Sequence, residues 1–176
     1  MNLSKPPKKW YAILTKPRSE KKIFERIIAE DVEAFLPMIK TLRQWSDRKK
    51  LVEVPLIPSY LFVRVEEKNL FSSLPINGNI HVLRHLGKPA VIRDEEIENL
   101  RILSDNSEGQ EINTCDHIYS GDDVEVINGP FIGLIATCIK EGSKHRVVVK
   151  IESLGSCFMV DIPQSFLRKI SNQVSV

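Results

Sequence analysis

Residues 51–65, LVEVPLIPSYLFVRV, form a largely hydrophobic stretch whose first half is broken at Pro55 and Pro58 and whose second half has the pattern of a strand. Residues 60–65 predict a β-strand, because alternate side chains of a strand point to opposite faces. One face carries Tyr60, Phe62 and Arg64, and the other carries Leu61, Val63 and Val65. Proline is tolerated at strand starts, so Pro58 predicts where this strand begins. The aliphatic face suits a core, and the aromatic face fits either a second core layer or a docking surface.

The residues before this stretch predict a strand, a helix, a second strand and a hairpin. The first strand is expected at 10–15, and Ser19 is expected to cap a helix whose apolar side chains recur at i, i+4 spacing. The second strand is expected at 33–39. Residues 40–50, KTLRQWSDRKK, predict a basic hairpin that returns along residues 51–54.

The remaining pattern predicts the end of one domain and the whole of another. Short strands at 80–83 and 90–92 precede a helix that Asp94 is expected to cap, with apolar residues every three positions. The polar segment 105–117 predicts a linker. From residue 118, short strands separated by glycine turns predict a small closed barrel, with a strand at 131–139 among them.

The fold class is therefore α+β: an N-terminal α/β sandwich with an antiparallel sheet, a linker and a C-terminal SH3-like β-barrel. The expected boundaries are a disordered N-terminus at 1–9, the first domain at 10–104, the linker at 105–117 and the barrel at 118–171. Any helical state of the barrel is disfavoured, because the run Val147-Val148-Val149 and several glycines are poor helix formers.

Composition narrows the class of protein. Of the 176 residues, 42% are hydrophobic and 27% are charged, which is typical of a soluble globular chain. No apolar run approaches the ~20 residues of a membrane span, and no export signal follows the basic N-terminus. Three unpaired-looking cysteines favour a reduced, cytoplasmic protein. Cys115 and His117 lack a second ligand pair, so no metal is expected.

The positive charge is concentrated at one end of the chain. Residues 1–50 carry 13 Lys and Arg against 6 Asp and Glu, whereas residues 105–176 carry 6 against 10. Two basic groups are candidates for nucleic-acid contact. They are Lys16, Arg18, Lys22 and Arg26 on the first turn and helix, and Arg43, Trp45, Arg48, Lys49 and Lys50 on the hairpin. A solvated helix face and a solvated loop remain the alternatives.

The sequence carries no recognisable catalytic motif. It has no phosphate-binding loop, no dinucleotide-binding glycine pattern and no nucleophile elbow. The carboxylates at 94–96 have a structural explanation at a helix start. These observations favour a binding protein over an enzyme, and no cofactor is expected.

Three blocks of sequence together resemble the NusG family of transcription elongation factors. They are Trp10-Tyr11 opening a basic strand and helix, Pro-Ser-Tyr-Leu-Phe-Val at 58–63, and Gly-Asp-Asp-Val-Glu-Val-Ile-Asn-Gly-Pro-Phe at 121–131. The first two resemble the family's N-terminal NGN domain and the third resembles its KOW motif. The amino-acid sequences of 36–39 and 55–63 are more similar to the specialised RfaH branch, whereas the KOW half is more similar to an ordinary NusG. This combination is similar to the UpxY antiterminators of capsular polysaccharide operons.

The resemblance implies binding to RNA polymerase and suppression of pausing or termination. An apolar depression of the NGN domain would dock on the clamp helices of the polymerase's largest subunit, and the positions that match it are Trp10, Ile57, Pro58, Tyr60 and Phe62. A second polymerase contact is implied at Ser72 and Ser73, in the region Phe71-Ser72-Ser73.

The resemblance also implies partners for the basic residues and for the barrel. The non-template DNA strand would be contacted by the first turn and helix. Ribosomal protein S10 or the terminator Rho would bind the KOW domain at loops that match Phe131 and Leu154. The protein is expected to act as a monomer. The alternative is a KOW-containing RNA-binding or ribosome-associated protein, which the acidic barrel and residues 10–104 disfavour.

Overall fold

The computed structural model describes residues 6–44, 48–72, 74, 80–115, 121–141 and 144–170. The chain forms two compact units, Met1–Met38 with Pro55–Asp94, and Ile39–Val54 with Glu95–Val176. In chain order, the elements are β1 (Lys9–Thr15), α1 (Glu20–Ala29), β2 (Glu33–Phe35), β3 (Met38–Gln44), β4 (Lys49–Pro55), β5 (Tyr60–Val65), β6 (Ile80–Val82), β7 (Arg84–His85), β8 (Lys88–Pro89), β9 (Val91–Ile92), α2 (Asp94–Asp105), β10 (Asn113–Thr114), β11 (Asp122–Val126), β12 (Ile135–Glu141), β13 (Lys144–Ile151), β14 (Ser156–Asp161) and β15 (Leu167–Lys169). The mixed fold with antiparallel sheets agrees with the predicted α+β class.

β1 is the central strand of the first sheet. It pairs antiparallel with β5 along one edge and with β6 and β9 along the other, and β2 pairs with β5. The aliphatic face of β5 lies in the main core together with Tyr11, Ile13, Ile23 and Ile27. Each fully buried aliphatic side chain of this kind stabilises the fold by about 1.5–3 kcal/mol. The predicted division of β5 into two faces is thus confirmed.

The predicted strand at 33–39 is two strands. β2 ends at Phe35 and β3 begins at Met38, and Leu36 and Pro37 lie between them. The prediction was wrong because it overlooked Pro37, which has no N–H for a sheet hydrogen bond and restricts the residue before it. β3 then pairs with β4, as the hairpin prediction requires.

The second sheet contains six antiparallel strands in the order β10-β14-β13-β12-β11-β15. β10 lies inside the segment predicted to be a linker. The strand predicted at 131–139 begins only at Ile135, because residues 129–134 form turns in which Gly129 and Gly133 have positive φ. The described strands of this sheet do not pair into a ring, so the closed barrel stays a prediction.

Two of the three cysteines form a disulfide, contrary to the reduced state expected from sequence. Thr114 of β10 lies opposite Phe158 of β14, which places Cys115 beside Cys157 with their Cα atoms 5.4 Å apart. The two residues are 42 positions apart in sequence, and the pairing of β10 with β14 brings them together. No helix in the described ranges is long and apolar enough to cross a membrane.

Candidate functional site

The aromatic face of the first sheet is a packed layer. Phe62 lies opposite Phe35 and its ring stacks on the Phe35 ring at 6.2 Å between centroids. The Arg64 guanidinium lies 5.9 Å from the centroid of the Trp10 ring and 3.7 Å from the Glu33 carboxylate. Phe62 is 0% exposed and Trp10 is 3% exposed. Of the two readings offered by the sequence, this face is a second core layer.

Only some of the residues predicted to dock at the turn 57–60 have solvent-exposed side chains. Ile57 is buried, whereas Pro58 is exposed and Tyr60 is half-buried. The five residues predicted to dock therefore divide into two groups. Pro58 and Tyr60 are accessible, and Ile57, Trp10 and Phe62 lie beneath the surface.

A buried carboxylate holds this turn. Ser59 has a backbone φ of 68°, which residues other than glycine rarely adopt. Its N–H donates to the Glu20 carboxylate at 2.8 Å, and its C=O accepts from the Thr15 N–H at 2.8 Å. Glu20 is only 4% exposed. The first residue of α1 and the last residue of β1 thus fix both sides of Ser59.

Sequence reasoning did not single out Glu20. An acidic residue in the first turn of a helix is normally explained by the helix dipole alone. The only hint was Ser59, which follows a proline at a turn and can be driven to positive φ. Nothing in the sequence relates the two residues, which are 39 positions apart.

Four predicted nucleic-acid residues share one region of the first unit. Lys16 and Arg18 lie in the turn between β1 and α1, and Lys22 and Arg26 lie one helical turn apart on α1. All four side chains are exposed. Exposed cations at this spacing can contact successive phosphates of a strand.

The other predicted nucleic-acid residues lie on the β3–β4 hairpin of the second unit. Arg43, Arg48, Lys49 and Lys50 are exposed, and Trp45 lies outside the described residues. The base of this hairpin is tied to the chain after α2. The Lys40 N–H donates to Ser107 Oγ at 3.0 Å. Lys40 Nζ lies 2.6 Å from the Glu108 carboxylate, and the hydrogen bond between these two side chains raises the pKa of Lys40.

The region predicted for a second polymerase contact is partly described. Ser72 is exposed and its Oγ donates to the Asn69 C=O at 3.1 Å, whereas Ser73 lies outside the described residues. The neighbouring Phe71 is 46% exposed, and the Arg84 guanidinium lies 5.6 Å from the centroid of its ring. The Phe71 ring and the Arg84 guanidinium are therefore close together, next to Ser72 in sequence.

The two residues predicted to bind partners on the barrel differ in accessibility. Leu154 is half-buried in a 3-10 turn, Glu152–Leu154, and Gly155 follows it with a φ of 63°. Phe131 is only 3% exposed. Phe131 is therefore a core residue that supports its loop from inside, and the neighbouring Ile132 is 60% exposed.

Helix α2 holds both of these loops through buried polar side chains. The Asn99 amide donates to the Ile135 C=O at 2.9 Å and accepts from the Ile135 N–H at 3.2 Å. The Glu96 carboxylate accepts from the Ser153 hydroxyl at 2.7 Å and from its N–H at 3.2 Å. Glu96 and Asn99 are 2% and 8% exposed. Sequence analysis explained Glu96 by the helix start alone and missed both roles.

The part of the chain that the structure describes contains no group of three His, Cys, Asp or Glu side chains placed to bind a metal ion. Burial raises the pKa of the free Cys138 thiol, and the Asp122 carboxylate raises it further. A thiol with a raised pKa is a poor nucleophile.

Comparison with solved structures bears on the fold of the chain. The chain is similar to NusG of Thermotoga maritima, from a structure described as its domain interaction, with a TM-score of 0.52 and 23% identity over 93% of this chain and 97% of that chain. A chain of the MjSpt4:Spt5 complex matches with 19% identity over 92% of this chain and 96% of that chain, at a TM-score of 0.33. The first of these similarities indicates a NusG-like fold.

The family follows from a sequence model. The model described as transcription termination factor nusG matches residues 8–101, which is more than half of the chain. The chain belongs to the NusG family, whose members are non-enzymatic transcription factors. The general part of the predicted resemblance is therefore confirmed.

The buried carboxylate of Glu20 can be tested through stability. Glu20→Ala leaves the Ser59 N–H without a partner, and we expect the free energy of unfolding to fall by about 1–3 kcal/mol. Glu20→Gln keeps an acceptor oxygen in place and should cost less than half as much. Urea unfolding of both variants checks this. Equal loss in the two variants would show that the charge, rather than the hydrogen bond, stabilises the turn.

The attachment of α2 to the start of β12 can be tested in the same way. Asn99→Ala removes both hydrogen bonds to Ile135, and we expect the free energy of unfolding to fall by about 1–3 kcal/mol. Glu98→Ala is the matched control, because Glu98 is exposed on the same helix. It should change stability by less than about 0.5 kcal/mol. Similar unfolding curves for the two variants would contradict the assigned role of Asn99.

Proposed function

We propose that this protein is a transcription elongation and antitermination factor that binds RNA polymerase and suppresses pausing or termination. Membership of the NusG family supports the transcriptional role. The observation that carries the polymerase contact is the turn at residues 57–60, which a buried carboxylate holds in an otherwise unfavourable conformation. Such strain persists where a surrounding structure maintains it, often at a ligand-binding site.

In this proposal the turn docks on the clamp helices of the polymerase's largest subunit. Pro58 and Tyr60 make the contact, since they have exposed surface. Ile57, Trp10 and Phe62 form the apolar support beneath them. A rigid support lowers the entropy lost on binding, because the contacting side chains are already ordered.

A second polymerase contact is proposed at Ser72 and Ser73, on the opposite side of the nucleic-acid cleft. Ser72 supports it with an exposed hydroxyl. Two contacts that span the cleft would keep the polymerase closed on DNA. Closure would suppress pausing because it opposes the opening that a pause requires.

The exposed non-template DNA strand is the proposed nucleic-acid partner. Lys16, Arg18, Lys22 and Arg26 would contact its phosphates, and the β3–β4 hairpin would add contacts through Arg43, Trp45, Arg48, Lys49 and Lys50. Phosphate contacts position a protein without reading sequence. Choice of an operon, which we propose to be of the capsular polysaccharide type, would then need additional base contacts.

The second unit is proposed to recruit other factors, with ribosomal protein S10 or Rho as the candidates. Leu154 would contact the partner, and Phe131 would support the loop from the core. The domain boundaries proposed from sequence, 10–104 and 118–171 with a linker between them, and a monomeric cytoplasmic protein complete this proposal.

Polymerase binding is tested with Tyr60→Ala and purified core RNA polymerase from the same organism. Loss of an aromatic anchor at an interface typically weakens binding by ten-fold or more, so we expect the Kd to rise by at least about ten-fold. Tyr60→Phe keeps the ring and should bind within about three-fold of wild type. Fluorescence anisotropy of the labelled protein measures both.

Two results would contradict the docking role. One is equal affinity of wild type and Tyr60→Ala. The other is failure of the wild type to bind polymerase, and stable association with ribosomes in parallel sedimentation would then favour the ribosome-associated alternative. Circular dichroism of each variant ensures that a loss of binding is not a loss of folding.

Nucleic-acid contact is tested by reversing charge on α1. We expect the double variant Lys22→Glu, Arg26→Glu to weaken binding to single-stranded DNA. The dependence of log K on log salt should become shallower by roughly 0.7 for each phosphate that the variant no longer neutralises. Lys68→Glu is the control for net charge, because Lys68 already pairs with Glu66 at 3.0 Å. An equal loss of affinity per unit of charge in all variants would mean that net charge alone determines binding.

A further inference from the structure

The short β7–β8 hairpin, which we call the Leu86 hairpin (residues 84–89), has an unusual residue at its tip. Arg84 pairs with Pro89 and His85 pairs with Lys88, which leaves a loop of two residues, Leu86 and Gly87. Their φ angles are 50° and 79°. Positive φ at both loop positions is typical of the hairpin turn in which Asn-Gly is preferred. Glycine and asparagine adopt positive φ readily, whereas leucine is strained there.

The Leu86 side chain is also almost completely in water. It is 90% exposed, more than any other large hydrophobic side chain in the described residues. A leucine in this position lowers the stability of the free protein through its backbone conformation, and its burial on folding offsets none of that cost because the side chain stays in water. A single exposed leucine is ordinary by itself, but a leucine that is both exposed and held in a strained backbone conformation points to a binding role.

The hairpin is held in shape before any partner arrives. The Arg84 guanidinium donates from Nη1 to the Gly87 C=O at 3.2 Å, and the same group lies 5.6 Å from the centroid of the Phe71 ring. Arg84 therefore connects the turn to the loop that carries Phe71 and Ser72. A side chain presented by a rigid turn loses little entropy on binding.

The charged side chains of the hairpin itself are of one sign. Arg84 and Lys88 are exposed on it, and residues 84–89 contain no Asp or Glu. An apolar tip with a cationic border is complementary to an apolar pocket bordered by carboxylates. A leucine offers neither base stacking nor hydrogen bonds to bases, so the tip suits a protein pocket better than a nucleic acid.

We propose that the Leu86 hairpin inserts into a carboxylate-bordered apolar pocket of RNA polymerase, as a contact separate from the turn at residues 57–60. This inference rests on the proposed function, and it adds to that function a third surface that the sequence did not suggest. The link through Arg84 to Phe71 makes the hairpin continuous with the proposed contact at Ser72.

The test uses a substitution that should stabilise the protein and weaken its binding. Leu86→Asn installs the preferred residue at the turn, so we expect the Tm of the full chain to rise by about 2–4 °C. The Kd for core RNA polymerase should rise by about ten-fold, because the apolar tip is removed. Leu86→Met keeps an apolar tip and should bind within about three-fold of wild type.

Ile132→Asn is the control for removing an exposed apolar side chain elsewhere, since Ile132 is 60% exposed and lies in the second unit. It should leave polymerase binding unchanged. If Leu86→Asn binds like wild type while Tyr60→Ala is weakened, the hairpin contact is overturned and the proposed function survives. If the wild type does not bind polymerase, both fail. Weakened binding of Leu86→Asn to single-stranded DNA without polymerase would also overturn it, since the tip would then contact nucleic acid.

Discussion

The first unit depends on a central strand that is buried on both faces. Trp10 and Ala12 point to one side of β1, Tyr11 and Ile13 point to the other, and none is more than 3% exposed. A sheet with two covered faces has no broad surface left for a partner, so the surface available for binding moves to strand ends, turns and short hairpins. This is why Trp10 and Phe62, which lie on the sheet itself, have almost no exposed surface.

Local periodicity was enough to predict some of the regular elements, β5 and α1 among them. The alternation in residues 60–65 predicted β5 and its core face, and the spacing of Ile23 and Ile27 predicted α1. Both predictions were possible because the residues of a strand or helix that face a core recur with a fixed period. The same alternation could not decide whether Phe62 faces a second core layer or a partner. That choice depends on what covers the face, which a strand's own sequence does not encode.

The features that define the site come from contacts between distant residues. Glu20 with Ser59, Asn99 with Ile135, and Cys115 with Cys157 are separated by 39, 36 and 42 positions, and each is made by a pairing or packing that periodicity does not report. The turn before β12 was mistaken for a strand because the apolar residues at 131–135 outweighed Gly133 in the pattern. Positive φ at that glycine ends the extended conformation.

The carboxylate beneath the turn at residues 57–60 has a consequence for exchanging segments between relatives. The shape of this turn is encoded by two stretches of chain, one containing Thr15 and Glu20 and the other containing Ser59. A chimera that received only residues 57–60 would have the amino-acid sequence of the turn but would lack the contacts that hold its conformation. The smallest segment that could be exchanged with its conformation intact therefore includes the end of β1, the start of α1 and the turn. A comparison of turn sequences alone would leave out Thr15 and Glu20, which also determine the conformation of the turn.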